Sequence, residues 1–167
     1  MEARGQQATR VRQLDEIAEA LPQRATSLAR LFLARTSLTL SRTEIGVLRS
    51  AVEEPQRVGD LAAAEGVTQP AISLVVNRLQ QRGWVSRRPD LVDRRAVLVQ
   101  ATDAGFEAWD QLRTEYRAFF HEEMATLDDA QVSTLACAID ILGELIARLS
   151  EVELPSAAAT PSEGGRR

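Results

Sequence analysis

The chain has 167 residues, 44% hydrophobic and 26% charged, with a net charge of −4 at pH 7, the balance of a globular domain. No stretch reaches the ~18 apolar residues of a membrane span, and the opening MEARGQQATR has no apolar signal-peptide core. The single cysteine, Cys137, excludes an intrachain disulfide, and together these features point to the cytoplasm and to no membrane partner.

Residues 1–9 are polar and are expected to be a disordered N-terminus. From Val11 the apolar spacing is helical through Leu14, Ile17, Leu21, Ala25, Leu28 and Phe32. Pro22 falls inside this pattern and predicts a kink or a split into two helices. A second helix opens at Ser41, with Glu44 at capping-box spacing and Ile45, Val47, Leu48 and Ala51 inward. A third runs from about Arg57 to Glu65, and Gly66, which can take positive φ, ends it. A fourth runs from Thr68, as cap, to about Arg82, with Pro70 tolerated in its first turn and Gly83 as its end. WVSRR and RAVLVQA then read as the two strands of a β-hairpin around PDLVDR. Thr102 caps a long helix bearing Phe106, Trp109, Leu112, Tyr116 and Phe120. Asp128 and Gln131 open a last helix striped by Val132, Leu135, Ile139, Leu142, Ile146 and Leu149. The fold class is mainly α with a small β-hairpin wing. Its expected parts are a winged helix-turn-helix at 41–101, a helical dimerisation region at 10–40 plus 102–152, and a disordered small-residue tail at 153–167.

Charge is concentrated in the middle of the chain. Residues 57–95 hold seven arginines and four acids, a local +3 in a chain that is otherwise −7. The acidic total argues against a general nucleic-acid binder. The local excess argues for a site, because contact electrostatics are set within a Debye length of ~8–10 Å. All 20 basic residues are arginine, and since they are spread along the chain, a G+C-rich genome explains that choice.

On the fourth helix Ile72, Val75, Val76 and Leu79 form one buried stripe at i, i+3, i+4 and i+7. Gln69, Pro70, Ser73, Leu74 and Asn77 then lie on the outer face, which in a helix-turn-helix enters the major groove. Glutamine suits a bidentate contact to adenine, and serine serves either base type. Thr68, Arg78 and Arg57 are further candidates for DNA contact, Arg57 as a phosphate contact that positions rather than specifies. A plain helical hairpin would show the same stripe. It would not need Arg87, Arg88, Arg94 and Arg95 at both ends of one turn, where their mutual repulsion is unfavourable unless an anion offsets it. Those arginines suit a wing along the DNA backbone with one side chain in a narrow minor groove. Asp93, two residues before Arg95, can orient its guanidinium. Arg87 and Asp90 read as a solvated charge cluster beside the turn.

The runs LAAAEGVTQPAISLVVNRLQQRGWV and DRRAVLVQATDAG, with LTLSRTEIGVLRSA before them, resemble the winged helix-turn-helix of the MarR (multiple antibiotic resistance regulator) family. The resemblance covers about residues 12–150. It implies an obligate homodimer built from the end helices, a double-stranded DNA operator as partner, Arg95 in the minor groove with Asp93 as its support, and the 68–82 helix as major-groove reader. Many relatives carry an arginine where this chain has Leu74, which could instead touch a thymine methyl. It further implies a small aromatic or phenolic effector. Arg30, Arg35, Trp109 and Arg113 could line its cleft, but packing and surface ion pairs explain them equally well, so no ligand residue is assigned. The implied function is a ligand-responsive repressor on a pseudo-palindromic operator. The alternative is a winged-helix module that binds a protein, which would tolerate loss of Arg94 and Arg95.

Enzyme readings find little support. The single histidine, His121, has no second histidine to share a metal or a triad, and no phosphate-cradling glycine loop is present. No metal site, catalytic residue or cofactor is expected, and Cys137 on an apolar helix reads as a small hydrophobe.

Overall fold

The computed structural model describes residues 2–90, 93 and 96–151. In chain order the elements are α1 (Glu2–Leu33), α2 (Arg42–Glu53), β1 (Gln56–Arg57), α3 (Val58–Glu65), α4 (Gln69–Gln81), β2 (Val85–Pro89), β3 (Val97–Ala101), α5 (Asp103–Met124) and α6 (Asp129–Glu151). The chain divides into two compact units after Phe120. The expected tail at 153–167 lies outside the described residues.

In the first unit α1 begins at Glu2, so the segment expected to be disordered forms the first turns of the helix. It also runs through Pro22 without splitting, so of the two outcomes expected there the division into two helices does not occur. One missing N–H removes one intrahelical bond, and on an exposed helix water can serve the carbonyl left over. The Pro22 carbonyl itself accepts from the Thr26 hydroxyl at 2.8 Å.

Around α2 the local rules hold. Ser41 and Glu44 form the expected capping box. Gly66 ends α3 at φ 64° and Gly83 follows α4 at φ 76°, the left-handed region that glycine enters without strain. The apolar faces of α2, α3 and α4 and the inner face of the sheet close one core, with Val47, Leu48, Leu61, Ile72, Val76, Leu79, Val85 and Val99 fully buried. Buried aliphatic side chains of this size each contribute about 1.5–3 kcal/mol.

The sheet is antiparallel in the order β1-β3-β2. Its two-residue β1 was not expected. It pairs Gln56 with Val99 and Arg57 with Leu98, so the wing strand β3 is held on both sides. Thr102 accepts from the Gly105 amide at 3.1 Å and caps α5 as expected. Gly105 is buried against the Trp84 carbonyl, which also accepts from the Thr102 amide at 3.0 Å.

In the second unit α6 opens on the expected reciprocal pair. The Asp128 amide donates to Gln131 at 3.0 Å, and the Gln131 amide donates to Asp128 at 2.8 Å. Among the described residues no helix is long and apolar enough to cross a membrane.

Candidate nucleic-acid interface

Helix α4 has two faces. Ile72, Val75, Val76 and Leu79 are at most 5% exposed. Gln69, Pro70, Leu74 and Asn77 are exposed and Ser73 is half-buried; Leu74, at 63%, is a large aliphatic group offered to solvent. Thr68 occupies the N-cap with extended backbone, φ −75° and ψ 153°, but its side chain makes no capping bond. Gly59 of α3 leaves room for the Gln69 amide, which lies 3.2 Å from where a β-carbon would stand.

Several polar side chains of this region are already committed within the protein. Arg78 Nε meets Glu44 Oε1 at 3.2 Å. Glu44 is buried and also accepts from the Ser41 amide and hydroxyl, each at 2.8 Å. Burial pushes its carboxyl up, but the Ser41 hydrogen bonds and the charges of Arg78 and Arg82 outweigh this and hold it below the ordinary value of 4.5. Arg82 donates to the Thr39 carbonyl at 2.9 Å and stacks over Trp84, 5.0 Å from the ring centre.

Register decides which residues of β2 face α4. Arg87 pairs with Val99, so it shares the core side of the sheet and extends past the core's edge. There Arg87 Nη1 donates to Asn77 Oδ1 at 2.7 Å and to Gln80 Oε1 at 3.0 Å. Arg88 pairs with Leu98 on the opposite side and is exposed.

The expectation of a solvated Arg87–Asp90 cluster is therefore corrected. Arg87 ties β2 to α4. Asp90 is only 7% exposed and accepts from Arg57, Nη2 at 2.6 Å and Nε at 3.1 Å. Asp90's hydrogen bond and charge raise the guanidinium's pKa. Burial of a carboxylate requires such a partner. Asp90 also begins the turn: its amide donates to the Ala96 carbonyl at 3.0 Å, and its Oδ1 accepts from the Asp93 amide at 3.4 Å. Asp93 is exposed. Arg94 and Arg95, expected as backbone and minor-groove contacts, lie outside the described residues.

Sequence reasoning passed over Gln80 and the second role of Glu44, and it placed Asp90 in solvent. Only the capping spacing of Glu44 was visible in the chain; the other partners are brought together by the tertiary fold. Of the groups considered for an effector cleft, Arg35 stacks over Phe119 at 5.0 Å and Trp109 packs against the winged core. Among the described residues no group of three or more His, Cys, Asp or Glu could hold a metal ion.

Residues 40–97 match the model of the MarR family. An uncharacterized HTH-type transcriptional regulator of Mycobacterium bovis is 32% identical over 88 residues, which are 53% of this chain and 62% of that protein. The chain thus spans about three fifths of the length of that relative. The transcriptional regulator BldR of Sulfolobus solfataricus superposes with a TM-score of 0.65 at 24% identity, over 80% of this chain and 94% of that one. FabT of Streptococcus pneumoniae, in complex with DNA, gives 0.61 at 14% identity, over 83% and 98%. Both likenesses establish a shared fold.

Proposed function

From the match of residues 40–97 to the MarR family model, we propose that this chain is a MarR-family protein, a homodimeric, sequence-specific binder of double-stranded DNA that regulates transcription. The outer face of α4 carries the reading. Gln69, Pro70, Leu74 and Asn77 stand exposed on a helix whose other face is buried, next to a strand bearing Arg87 and Arg88. An exposed helix of this kind fits the major groove with its N-terminal residues nearest the bases. Gln69 would read adenine and Leu74 a thymine methyl, while Thr68, Arg88, Arg94 and Arg95 would engage phosphates and the minor groove. Asn77 and Arg78 contribute while held by Arg87 and Glu44.

Two further elements complete the proposal. The apolar side chains of α1 and α6 are exposed, among them Ile17 at 58% and Ile146 at 63%. Burying them against a second copy, at ~25 cal/mol per Å², would build a dimer that sets two reading helices about one turn, ~34 Å, apart. Such a dimer on a pseudo-palindromic operator over a promoter would repress by occlusion. A small aromatic or phenolic effector would release it by favouring a different spacing of the two helices, since only differential affinity moves the equilibrium.

The test is selection from a random duplex pool. The expected result is an enriched inverted repeat with half-sites about one turn apart. A folded dimer that enriches nothing would contradict the reading.

A further inference from the structure

We propose that Arg57 and Asp90 are a positioning pair: they fix the wing on the helix-turn-helix, so that a carboxylate within the DNA-binding surface is required for DNA binding. The inference rests on the DNA-binding reading above and deepens it.

The register brings the pair together. Arg57 on β1 and Arg88 on β2 both oppose Leu98 of β3, so all three side chains share the side of the sheet away from the core. Asp90 follows Arg88 by two residues and keeps that side. Arg57 therefore reaches across the central strand to the far end of β2, and its Nε and Nη2 both bond Asp90 Oδ2.

Three pieces of structure are joined by this one contact. Arg57 is the residue from which α3 starts. Its backbone belongs to β1, and Asp90 opens the wing turn through its bond from the Asp93 amide. A two-stranded ribbon beyond the edge of its sheet bends and twists easily. The bridge makes ribbon, edge strand and α3 move together. The Arg87 bonds to Asn77 and Gln80 lie on the opposite side of the same strand, so the wing is held from both sides.

The pair was expected to act otherwise, Arg57 as a phosphate contact and Asp90 as a solvated charge. The two accounts predict opposite signs. A carboxylate beside a polyanion is repelled by it, so a bystander Asp90 weakens binding and its removal tightens binding. A positioning Asp90 strengthens binding despite its charge.

The experiment measures affinity for the duplex recovered by selection, across a salt series, for the full chain and for Arg57→Gln, Asp90→Asn and the double variant. The expected result is a loss of about ten-fold for each single variant, with the double no weaker than the worse single, the behaviour of a coupled pair. The salt slope of Asp90→Asn should match that of the parent. Tighter binding by Asp90→Asn would overturn the proposal. So would losses that multiply in the double variant, or an Arg57→Gln slope reduced by about 0.9 with Asp90→Asn neutral, the mark of one lost phosphate contact. Hydrogen exchange without DNA supplies a second readout. Asp90→Asn should speed exchange of the Ala96 amide and leave the α4 amides unchanged, and an unchanged Ala96 amide would overturn the proposal. If the parent chain binds no duplex, the DNA-binding reading fails, while this exchange measurement still tests the pair.

Discussion

Helices α4 and α6 carry apolar stripes of the same helical period and meet opposite fates. On α4, Ile72, Val76 and Leu79 are fully buried, whereas on α6 Ile139, Ile146 and Leu149 are 59%, 63% and 69% exposed. Periodicity states that a face needs a partner; whether the partner belongs to the same chain is decided by what the neighbouring elements supply. Helices α2 and α3 and the sheet close over α4. The stripe of α6 needs an apolar surface that the proposed second copy would provide. Such a division suits a regulator whose winged unit holds its shape while the end helices set the distance between two copies.

The strongest way to break this contrast is to truncate both stripes. Leu79→Ala should destabilise the winged unit by about 2–5 kcal/mol through the cavity it leaves, read as a urea midpoint independent of protein concentration. Ile146→Asp should shift sedimentation from dimer to monomer and leave the near-UV signal of Trp84 and Trp109 in place. If Ile146→Asp instead melted the winged unit, the two regions would not be separable.

A smaller effect sharpens the picture of the winged core. A methyl group at Gly105 would collide with the Trp84 carbonyl, a backbone atom that cannot swing aside. Gly105→Ala should therefore cost about 1–3 kcal/mol, the range for overpacking, measured by thermal melting; a neutral result would mean that the α5 start can slide.

Smallest is the Glu44 network. Because its folded pKa lies below the ordinary 4.5, its stabilisation is complete above that value and is lost as pH falls through the lower folded value. Glu44→Gln should lower stability by about 0.5–1 kcal/mol at neutral pH. The difference from the parent should vanish at low pH, followed by melts across the acid range. A difference that persisted there would assign the effect to packing rather than charge.

Most helix ends were legible in the chain because they follow from neighbours three or four residues apart: Ser41 with Glu44, Asp128 with Gln131, and the glycines at 66 and 83. The inner stripe of α4 was legible for the same reason. What escaped was non-local. Two residues of β1 carry no alternation to detect, and Asp90 in a Pro-Asp turn looks solvated until Arg57, 33 positions earlier, is brought to it by strand pairing. At Pro22 the sequence leaves a kink and a split both open, and the helix does not split: the helical pattern on either side outweighs one lost hydrogen bond.

The central claim is that α4 and the wing are the surface that meets DNA. Hydrogen–deuterium exchange of the full chain, free and with the duplex recovered by selection, tests it most directly. The account predicts added protection at the start of α4, around Gln69–Asn77, and along β2 and β3, with α6 unchanged. Protection confined to α1 or α6, with α4 and the wing exchanging as in the free protein, would contradict it.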